Sequence, residues 1–326
     1  MIARSQTTTF RVLNVEPDRY SSEARQLLCC IGSLDEAELT RREIIEQISE
    51  YDVLIVRLAN QIDREIIDRG NQLKAIVSPT TGIDHIDIEY AKQRGIQVLT
   101  LRGETKFLKT ICATSEHTWA LLLALLRRIP SATTSVLNDE WDRDRFRGHE
   151  ISGKRIGIVG FGRVGRKVAQ YAKAFGAEVL TFEPYEIDVR DGVRRCGSLD
   201  ELLLNSDIVS LHVPLNASTE QMISRKQLEL IPRGGVLINT SRGGILDETA
   251  LVDALNSSHL AGAAVDVIDS ERVESQRRQN PLIQYARKHD NLMITPHIAG
   301  ATTESMRKTE VFMAQKLVKF INGESS

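Results

Sequence analysis

Short β-branched runs separated by stretches of helical period set the pattern of this chain. Residues 10–14 start a strand and 21–31 read as a helix, while Leu34-Asp35 with Glu36 to Ser49 read as a strand end or turn and then another helix. Tyr51 to Arg57 is a strand, 60–70 a helix with a glycine stop, Leu73 to Val77 a strand, 86–94 a helix and 96–100 a strand. This alternation predicts that the first 100 or so residues form a small α/β domain with a parallel sheet.

A helix from about Thr114 to Arg128 follows, apolar on most sides and placed to connect two domains; Trp141 to His149 is charged and irregular, a covering arm or surface turn. Alternation then resumes with strands at Ile156–Val159, 177–182, Ile208–Pro214, Val236–Thr240, Ala261–Val267 and Asn291–His297. Helices are predicted at 199–204 (capped by Ser198), 227–230, 248–255 and 303–320.

The stretch Ile156-Gly-Ile-Val-Gly-Phe-Gly-Arg-Val-Gly165 organises this half. A strand, a glycine-rich turn, a helix with Val164, Val168, Ala172 and Phe175 on one stripe, and a second strand make one βαβ unit of the mononucleotide-binding kind. Gly160 permits the tight turn, Gly162 lets backbone approach a pyrophosphate, and Gly165 lets the helix pack on the sheet, while the helix N-terminus offers N–H groups to the anion. Glu183 lies 18 residues after Gly165 at the end of the second strand, where a carboxylate accepts both ribose hydroxyls of NAD and repels the 2′-phosphate of NADP. Pro184 and Tyr185 follow, with no arginine beside them to receive that phosphate.

Composition narrows the class. The 326 residues suit about two domains, and 41% hydrophobic with 26% charged residues is an ordinary soluble globular balance. A net charge of −2 implies no nucleic-acid partner. Cys29, Cys30, Cys112 and Cys196 have neither metal-ligand spacing nor a disulfide framework. The N-terminus lacks a signal-peptide core and the run Trp119–Leu126 is too short to span a bilayer, so a cytoplasmic chain without a membrane partner is expected.

Several strands of both halves end in polar residues: Arg57, Glu183, His212, Thr240 with Arg242, Asp266 and His297. Polar groups at successive strand carboxyl ends converge on one crevice in open α/β sheets. The loop Ser78-Pro-Thr-Thr-Gly-Ile-Asp84 also leaves a strand's carboxyl end, and reads either as a cradle for a carboxylate or as a glycine-stopped βα turn. Arg57 reads either as an anion anchor or as an ion pair.

Asn239-Thr-Ser-Arg-Gly-Gly244 with Asp247, Ala263-Ala-Val-Asp-Val267 with Glu271, and Pro296-His-Ile-Ala-Gly-Ala-Thr302 resemble the signatures of the D-isomer-specific 2-hydroxyacid dehydrogenase family. Ser210-Leu-His-Val-Pro-Leu215 and Val77-Ser-Pro-Thr-Thr-Gly-Ile-Asp-His-Ile-Asp87 resemble two more of its motifs, and the match runs from about residue 50 to 310. The resemblance implies catalysis by Arg242, Glu271 and His297. Reduction of a 2-keto acid needs a hydride, a proton and a cation for the substrate carboxylate. His297 would shuttle the proton, Glu271 would fix its tautomer, and Arg242 would hold carboxylate and carbonyl on its planar fork. The resemblance further implies that the Thr80, Thr81 and Gly82 backbone and Arg57 complete the substrate site, and that Asp266 holds the nicotinamide carboxamide. It adds Arg163, Val164, His212, Pro214, Thr240, Ser241 and Gly300 to the NAD-binding set, and no metal.

The implied architecture is two Rossmann-like doubly wound parallel-sheet domains. A substrate domain (residues 1–106 and 299–326) receives the NAD-binding domain (107–298) as an insertion, with catalysis in a cleft that closes over the substrate and a homodimer or tetramer as the assembly. The pattern is nearest to phosphoglycerate dehydrogenase-like members. The sequence ends near residue 326, without the C-terminal regulatory domain of many serine-pathway enzymes, so control by serine is not expected. Arg272 stands where the family often has proline, Arg272 to Asn280 is unusually charged, Pro79 replaces a small residue, and Gly103 to Thr114 is longer than usual; each bears on the pocket. The function expected is therefore NAD-dependent oxidation or reduction of a small D-2-hydroxy acid or 2-keto acid, 3-phosphoglycerate among them. Glyoxylate/hydroxypyruvate reductase, D-lactate dehydrogenase and an NAD-sensing corepressor-type binding protein are the alternatives.

Overall fold

Twelve strands in two all-parallel sheets carry the chain in the computed structural model, which describes residues 9–185 and 192–324. The chain divides into two units, one made of the residues up to Leu108 and from Thr302 onward, the other of Lys109–Ala301.

In the first unit, β1 (Phe10–Asn14), β2 (Gly32–Glu36), β3 (Val53–Ile55), β4 (Ala75–Ser78) and β5 (Gln97–Thr100) lie in the order β2-β1-β3-β4-β5. Alternate residues feed opposite faces: Leu13, Leu54 and Ile76 join one core and Val12, Val53, Ile55, Ala75 and Val77 the other. Both faces are covered, so these strands are apolar runs rather than alternating ones. The helix Thr303–Ile321 returns to this unit and buries Met313, Ala314 and Leu317 against the second of those cores.

In the second unit, β6 (Arg155–Val159), β7 (Glu178–Phe182), β8 (Val193–Arg195), β9 (Ile208–Leu211), β10 (Gly235–Asn239), β11 (Leu260–Val265) and β12 (Leu292–Ile294) take the order β12-β11-β10-β9-β6-β7-β8. Counted from β6, this is the dinucleotide-binding order 3-2-1-4-5-6 with one strand added, and the strand order reverses between β6 and β9.

Several elements depart from the sequence expectation. The helix expected from Glu36 begins at Arg41, because Thr40 and Glu43 form a reciprocal capping box, and Glu36 itself ends β2. The apolar helix expected to connect domains, Ala113–Leu126, lies wholly in the second unit, its Trp119, Leu122 and Leu125 packed in one core with Ile156, Ile208 and Val236. Phe175 is not buried with the rest of its stripe: it is 46% exposed and stacks on Trp119 with ring centroids 4.7 Å apart. The helices Ile129–Leu137, Glu274–Gln279 and Pro281–Ala286 were not expected, nor was β8.

Candidate active site

The glycine turn sits where the strand order of the second sheet reverses. Gly160 adopts φ +91°, and a β-carbon there would come within 2.9 Å of the His212 carbonyl carbon beyond β9, so the two strand ends meet through a residue without a side chain. Gly165 is equally constrained, its absent β-carbon position lying 2.2 Å from the Gly160 oxygen. Gly162, by contrast, has open space on its side-chain face and caps the helix Arg163–Ala174. A helix N-terminus faced by a bare backbone fits a pyrophosphate. Val164 packs against the core behind this turn, and the Arg163 guanidinium donates to the Ile111 carbonyl at 3.0 Å, its pKa lowered by burial.

Glu183 follows β7, and its Oε2 accepts the Phe161 N–H at 3.0 Å, which fixes the carboxylate beside the turn. One correction arises here. Although no arginine neighbours Glu183 in sequence, β8 brings Arg195 alongside, and its Nη2 donates to the carbonyls of Glu183 (3.2 Å) and Tyr185 (3.0 Å). Beyond β9, His212 Nε2 lies 2.8 Å from Ser210 Oγ, and burial drives this imidazole down to about 3, leaving it neutral. Pro214 is exposed, its carbonyl accepting from Thr219 Oγ1 at 2.6 Å.

At the end of β10, buried Asn239 shapes the turn that presents Arg242. Its Oδ1 accepts from the Ser241 N–H (3.0 Å) and Oγ (2.7 Å), and its Nδ2 donates to the Arg242 carbonyl (2.9 Å). Thr240 Oγ1 meets Thr118 Oγ1 at 2.8 Å. Gly243 touches the segment beyond β11 so closely that a β-carbon would stand 2.1 Å from the Ile268 carbonyl carbon. That segment carries Glu271.

His297 lies beyond β12 in the left-handed region, φ +54°, a conformation sparsely populated by residues other than glycine. Asp266 holds it there. The His297 N–H donates to the Asp266 carbonyl at 2.8 Å, and the buried Asp266 carboxylate accepts from Thr295 Oγ1 (2.6 Å), Ile298 N–H (2.9 Å) and Ala299 N–H (2.7 Å), with His117 Nε2 at 3.3 Å. The Asp266 oxygens are thus engaged by protein donors. Gly300, exposed, follows this turn. His297 Nδ1 stands 2.5 Å from Glu271 Oε1. A carboxylate accepts, so Nδ1 carries the proton and Nε2 keeps its lone pair or a second, transferable proton. Within the second unit, then, contacts run from Arg242 through Gly243 to the Glu271 segment and on to His297.

In the first unit the loop beyond β4 is closed by its own bonds: Thr80 Oγ1 donates to the Gly82 carbonyl at 2.7 Å and Ser78 Oγ meets Thr80 Oγ1 at 2.9 Å, leaving Thr81 exposed. Arg57 has an internal anion. Its Nη1 lies 3.6 Å from Oε1 of Glu310, a carboxylate 1% exposed, and its Nη2 donates to the Asp18 carbonyl. Among the described residues no cluster of three His, Cys, Asp or Glu side chains could hold a metal ion, and no single helix is long and apolar enough to cross a membrane.

Sequence reasoning missed Glu310, Arg195, Asn280 and Glu248. In sequence each reads as an ordinary polar surface residue; only the topology buries it or brings it beside a site residue.

Residues 119–299 match the family model described as the NAD-binding domain of D-isomer specific 2-hydroxyacid dehydrogenases. The chain is 35% identical over 311 residues to a D-3-phosphoglycerate dehydrogenase of Methanocaldococcus jannaschii, covering 94% of this chain and 57% of that protein. It is 34% identical to a hydroxypyruvate reductase of Thermotoga maritima, covering 93% of this chain and 96% of that one. A D-lactate dehydrogenase of Aquifex aeolicus, solved with NAD and lactic acid, superimposes with a TM-score of 0.84 at 27% identity over 96% of each chain. The chain spans about half the length of the phosphoglycerate dehydrogenases it matches, 57% and 52% of the first two. Its second unit is an NAD-binding domain, and the chain belongs to the D-isomer-specific 2-hydroxyacid dehydrogenase family.

Proposed function

We propose that this protein is an NAD-dependent oxidoreductase that interconverts a small D-2-hydroxy acid and its 2-keto acid. The observation that carries the reading is the 2.5 Å contact between His297 Nδ1 and Glu271 Oε1, made by a histidine held at positive φ. The glycine turn and Glu183 would hold NADH, which would supply the hydride for the keto carbon. His297, its tautomer fixed by Glu271, gives the Nε2 proton to the carbonyl oxygen and recovers it in the reverse direction. Arg242 holds the substrate carboxylate, and the Asn239 bonds to its turn present the guanidinium without reorganisation. In the first unit, the Thr80–Gly82 backbone and Arg57 are the anion-binding groups assigned in this reading.

Two substrate classes are in play. Relatives named phosphoglycerate dehydrogenase favour a phosphorylated acid. The pairing of Arg57 with buried Glu310 favours an unphosphorylated one, because a neutralised arginine attracts a phosphate dianion weakly; the hydroxypyruvate reductase relative covered nearly end to end supports this second reading. The protein is further read as cytoplasmic, on the strength of its free cysteines, and as a homodimer, on the strength of Leu137 and Trp141, which are 79% and 88% exposed.

The test follows NADH absorbance with phosphohydroxypyruvate, hydroxypyruvate, glyoxylate, pyruvate and branched 2-keto acids. His297→Asn is expected to abolish turnover and leave NADH affinity nearly unchanged. Unchanged turnover would remove the acid/base assignment, and tight NADH binding without turnover of any acid would favour a binding protein.

A further inference from the structure

Glu248 opens the helix Glu248–Asn256, a position at which a carboxylate ordinarily faces water. It is 8% exposed. Its two oxygens serve different partners: the Asp269 N–H donates to Oε1 at 2.6 Å, and Asn280 Nδ2 donates to Oε2 at 2.5 Å. Those partners bracket the segment that carries Glu271. At its far end, Asn280 is itself committed, its Oδ1 accepting from the N–H groups of Leu282 and Ile283 and capping the helix Pro281–Ala286. At its near end, the Ile268–Asp269 peptide is pressed against Gly243, the residue after Arg242.

Between these ends the segment is tied by exposed polar bonds, Arg277 Nη1 donating to the Glu271 carbonyl at 2.9 Å and Gln284 Nε2 to the Arg278 carbonyl at 2.6 Å. The helix Glu274–Gln279 buries none of its residues, and Ser270 sits at φ +55°. No apolar face of its own anchors the segment, so polar bonds set its shape, and the buried ones are those at its two ends.

We propose that Glu248 is a positioning residue for the catalytic set: by binding Asp269 and Asn280 at once it closes the 269–280 segment and sets Glu271 against His297 Nδ1. The inference rests on the reading of Arg242, Glu271 and His297 given above. Both bonds are strongest to the ionised form, in which each oxygen accepts with no competing O–H. Burial, with the Asp269 and Asp247 carboxylates adding to it, pushes Glu248 up to about 7, so the ionised form gains ground above neutrality.

The test is a swap made at pH 8. Glu248→Gln turns an amide N–H₂ toward one of the two donors, and Asn280→Asp sets two carboxylates face to face. In the double variant, the amide oxygen introduced at position 248 accepts from the Asp269 N–H while the amide nitrogen donates to the new carboxylate at position 280, which still caps the following helix. Two quantities are followed: turnover of the best 2-keto acid, and the ring-nitrogen signals of His297 in ¹⁵N-histidine-labelled protein, assigned with His297→Asn. Each single variant is expected to lower kcat about 10- to 100-fold, with NADH affinity within about twofold, and to convert the single Nδ1–H tautomer of His297 into a mixture. The double variant is expected to recover kcat to within about threefold and to restore the single tautomer. Glu248→Gln protein with unchanged turnover and an unchanged His297 spectrum would overturn the proposal, and so would a loss that the double variant fails to recover. Should Glu248→Gln fail to fold, Glu248→Asp, which keeps the charge but falls one methylene short of spanning both donors, carries the same expectations. Wild-type protein that reduces none of the acids would defeat the proposed function, and the spectrum would still decide the role of Glu248.

Discussion

Gly243→Ala is the sharpest probe of how Arg242 and Glu271 are held in register. The new β-carbon would stand 2.1 Å from the Ile268 carbonyl carbon and 2.3 Å from the Asp269 nitrogen, whereas ordinary contact begins at 3.4 Å. One backbone or the other must therefore move by about 1.3 Å. Ile268 and Val267 are buried, so the strain has nowhere to relax cheaply, and overpacking of this kind costs about 1–3 kcal/mol. Retreat of Asp269 would also stretch its 2.6 Å bond to Glu248 past hydrogen-bonding range, and a lost bond to an ionised group adds about 1.5–3 kcal/mol. The expected destabilisation is about 3–5 kcal/mol, a large share of a typical stability. Both tryptophans, Trp119 and Trp141, belong to the second unit, so urea unfolding followed by tryptophan fluorescence reads this unit directly. Activity should fall about 100-fold, because a misplacement near 1 Å is enough to spoil a reacting geometry. Gly162→Ala is the contrasting case: its β-carbon meets no protein atom within 4 Å, so stability should hold within about 0.5 kcal/mol while NADH affinity collapses. Gly243→Ala protein within about 1 kcal/mol of wild type and with turnover within about threefold would refute the reasoning.

Further outcomes follow from other parts of the structure. Glu183→Gln should raise NADPH affinity at least about tenfold by removing a like charge, and Glu183→Gln with Arg195→Leu should lose that gain; fluorescence titration with NADPH checks both, and equal affinities would exclude Arg195 as a phosphate partner. Glu248, raised from 4.5 to about 7, binds more protons folded than unfolded, so it contributes stability below pH 4.5 that is lost as pH rises through 7. The stability of wild type minus that of Glu248→Gln should accordingly fall by up to about 3 kcal/mol between pH 4.5 and 7.5, and a difference independent of pH would refute the burial argument. His212, lowered from 6.5 to about 3, acts in the opposite sense: its contribution is complete above pH 6.5 and declines as pH falls, which replacement by Gln should remove. Leu137→Glu with Trp141→Glu should shift the protein toward monomer in light scattering without loss of NADH binding.

What was legible in the sequence depended on burial. β3 and β10 are apolar on both faces and announce themselves, as does the βαβ unit around Gly160, whose glycines each satisfy a separate geometric demand. β2 and β8 did not, because edge strands need little apolar surface: Asp35 and Glu36 pair instead with Arg11 and Arg25, and β8 is only Val-Arg-Arg. The start of the second helix was written in the Thr40-Arg-Arg-Glu43 box and could have been read there. The helix Ile129–Leu137 hides behind Arg128 at φ +54° and a proline at its second position, which together look like a chain break. Within the candidate site, Arg242, Glu271 and His297 were named through motif resemblance. Asn239 was only part of a motif, and Glu248 and Asn280 carried no signal, since a glutamate opening a helix reads as solvated in any sequence.

Glu248 shares its geometry with three other acids. Glu16, past the end of β1, accepts the N–H groups of Leu58 and Ala59 past its neighbour β3. Glu183, past β7, accepts from Phe161 past β6, and Asp266, past β11, accepts from Ile298 and Ala299 past β12. Glu248, past β10, accepts from Asp269 past β11. In every pair an acid beyond one strand end fixes the loop of the adjacent strand. A parallel sheet delivers loops side by side at its carboxyl edge but supplies no bonds between them, because the ladder ends where the loops begin. Side-chain carboxylates provide those missing cross-links within each sheet, at the carboxyl edge that presents Arg57 in the first unit and at the one that presents the glycine turn, Arg242, Glu271 and His297 in the second. Apolar packing could join the loops as firmly, yet it would fill the space a ligand needs and could not fix main-chain N–H directions. A buried acid such as Glu248 is therefore tolerated at this edge, where its two bonds fix main-chain and side-chain donors that apolar groups could only cover.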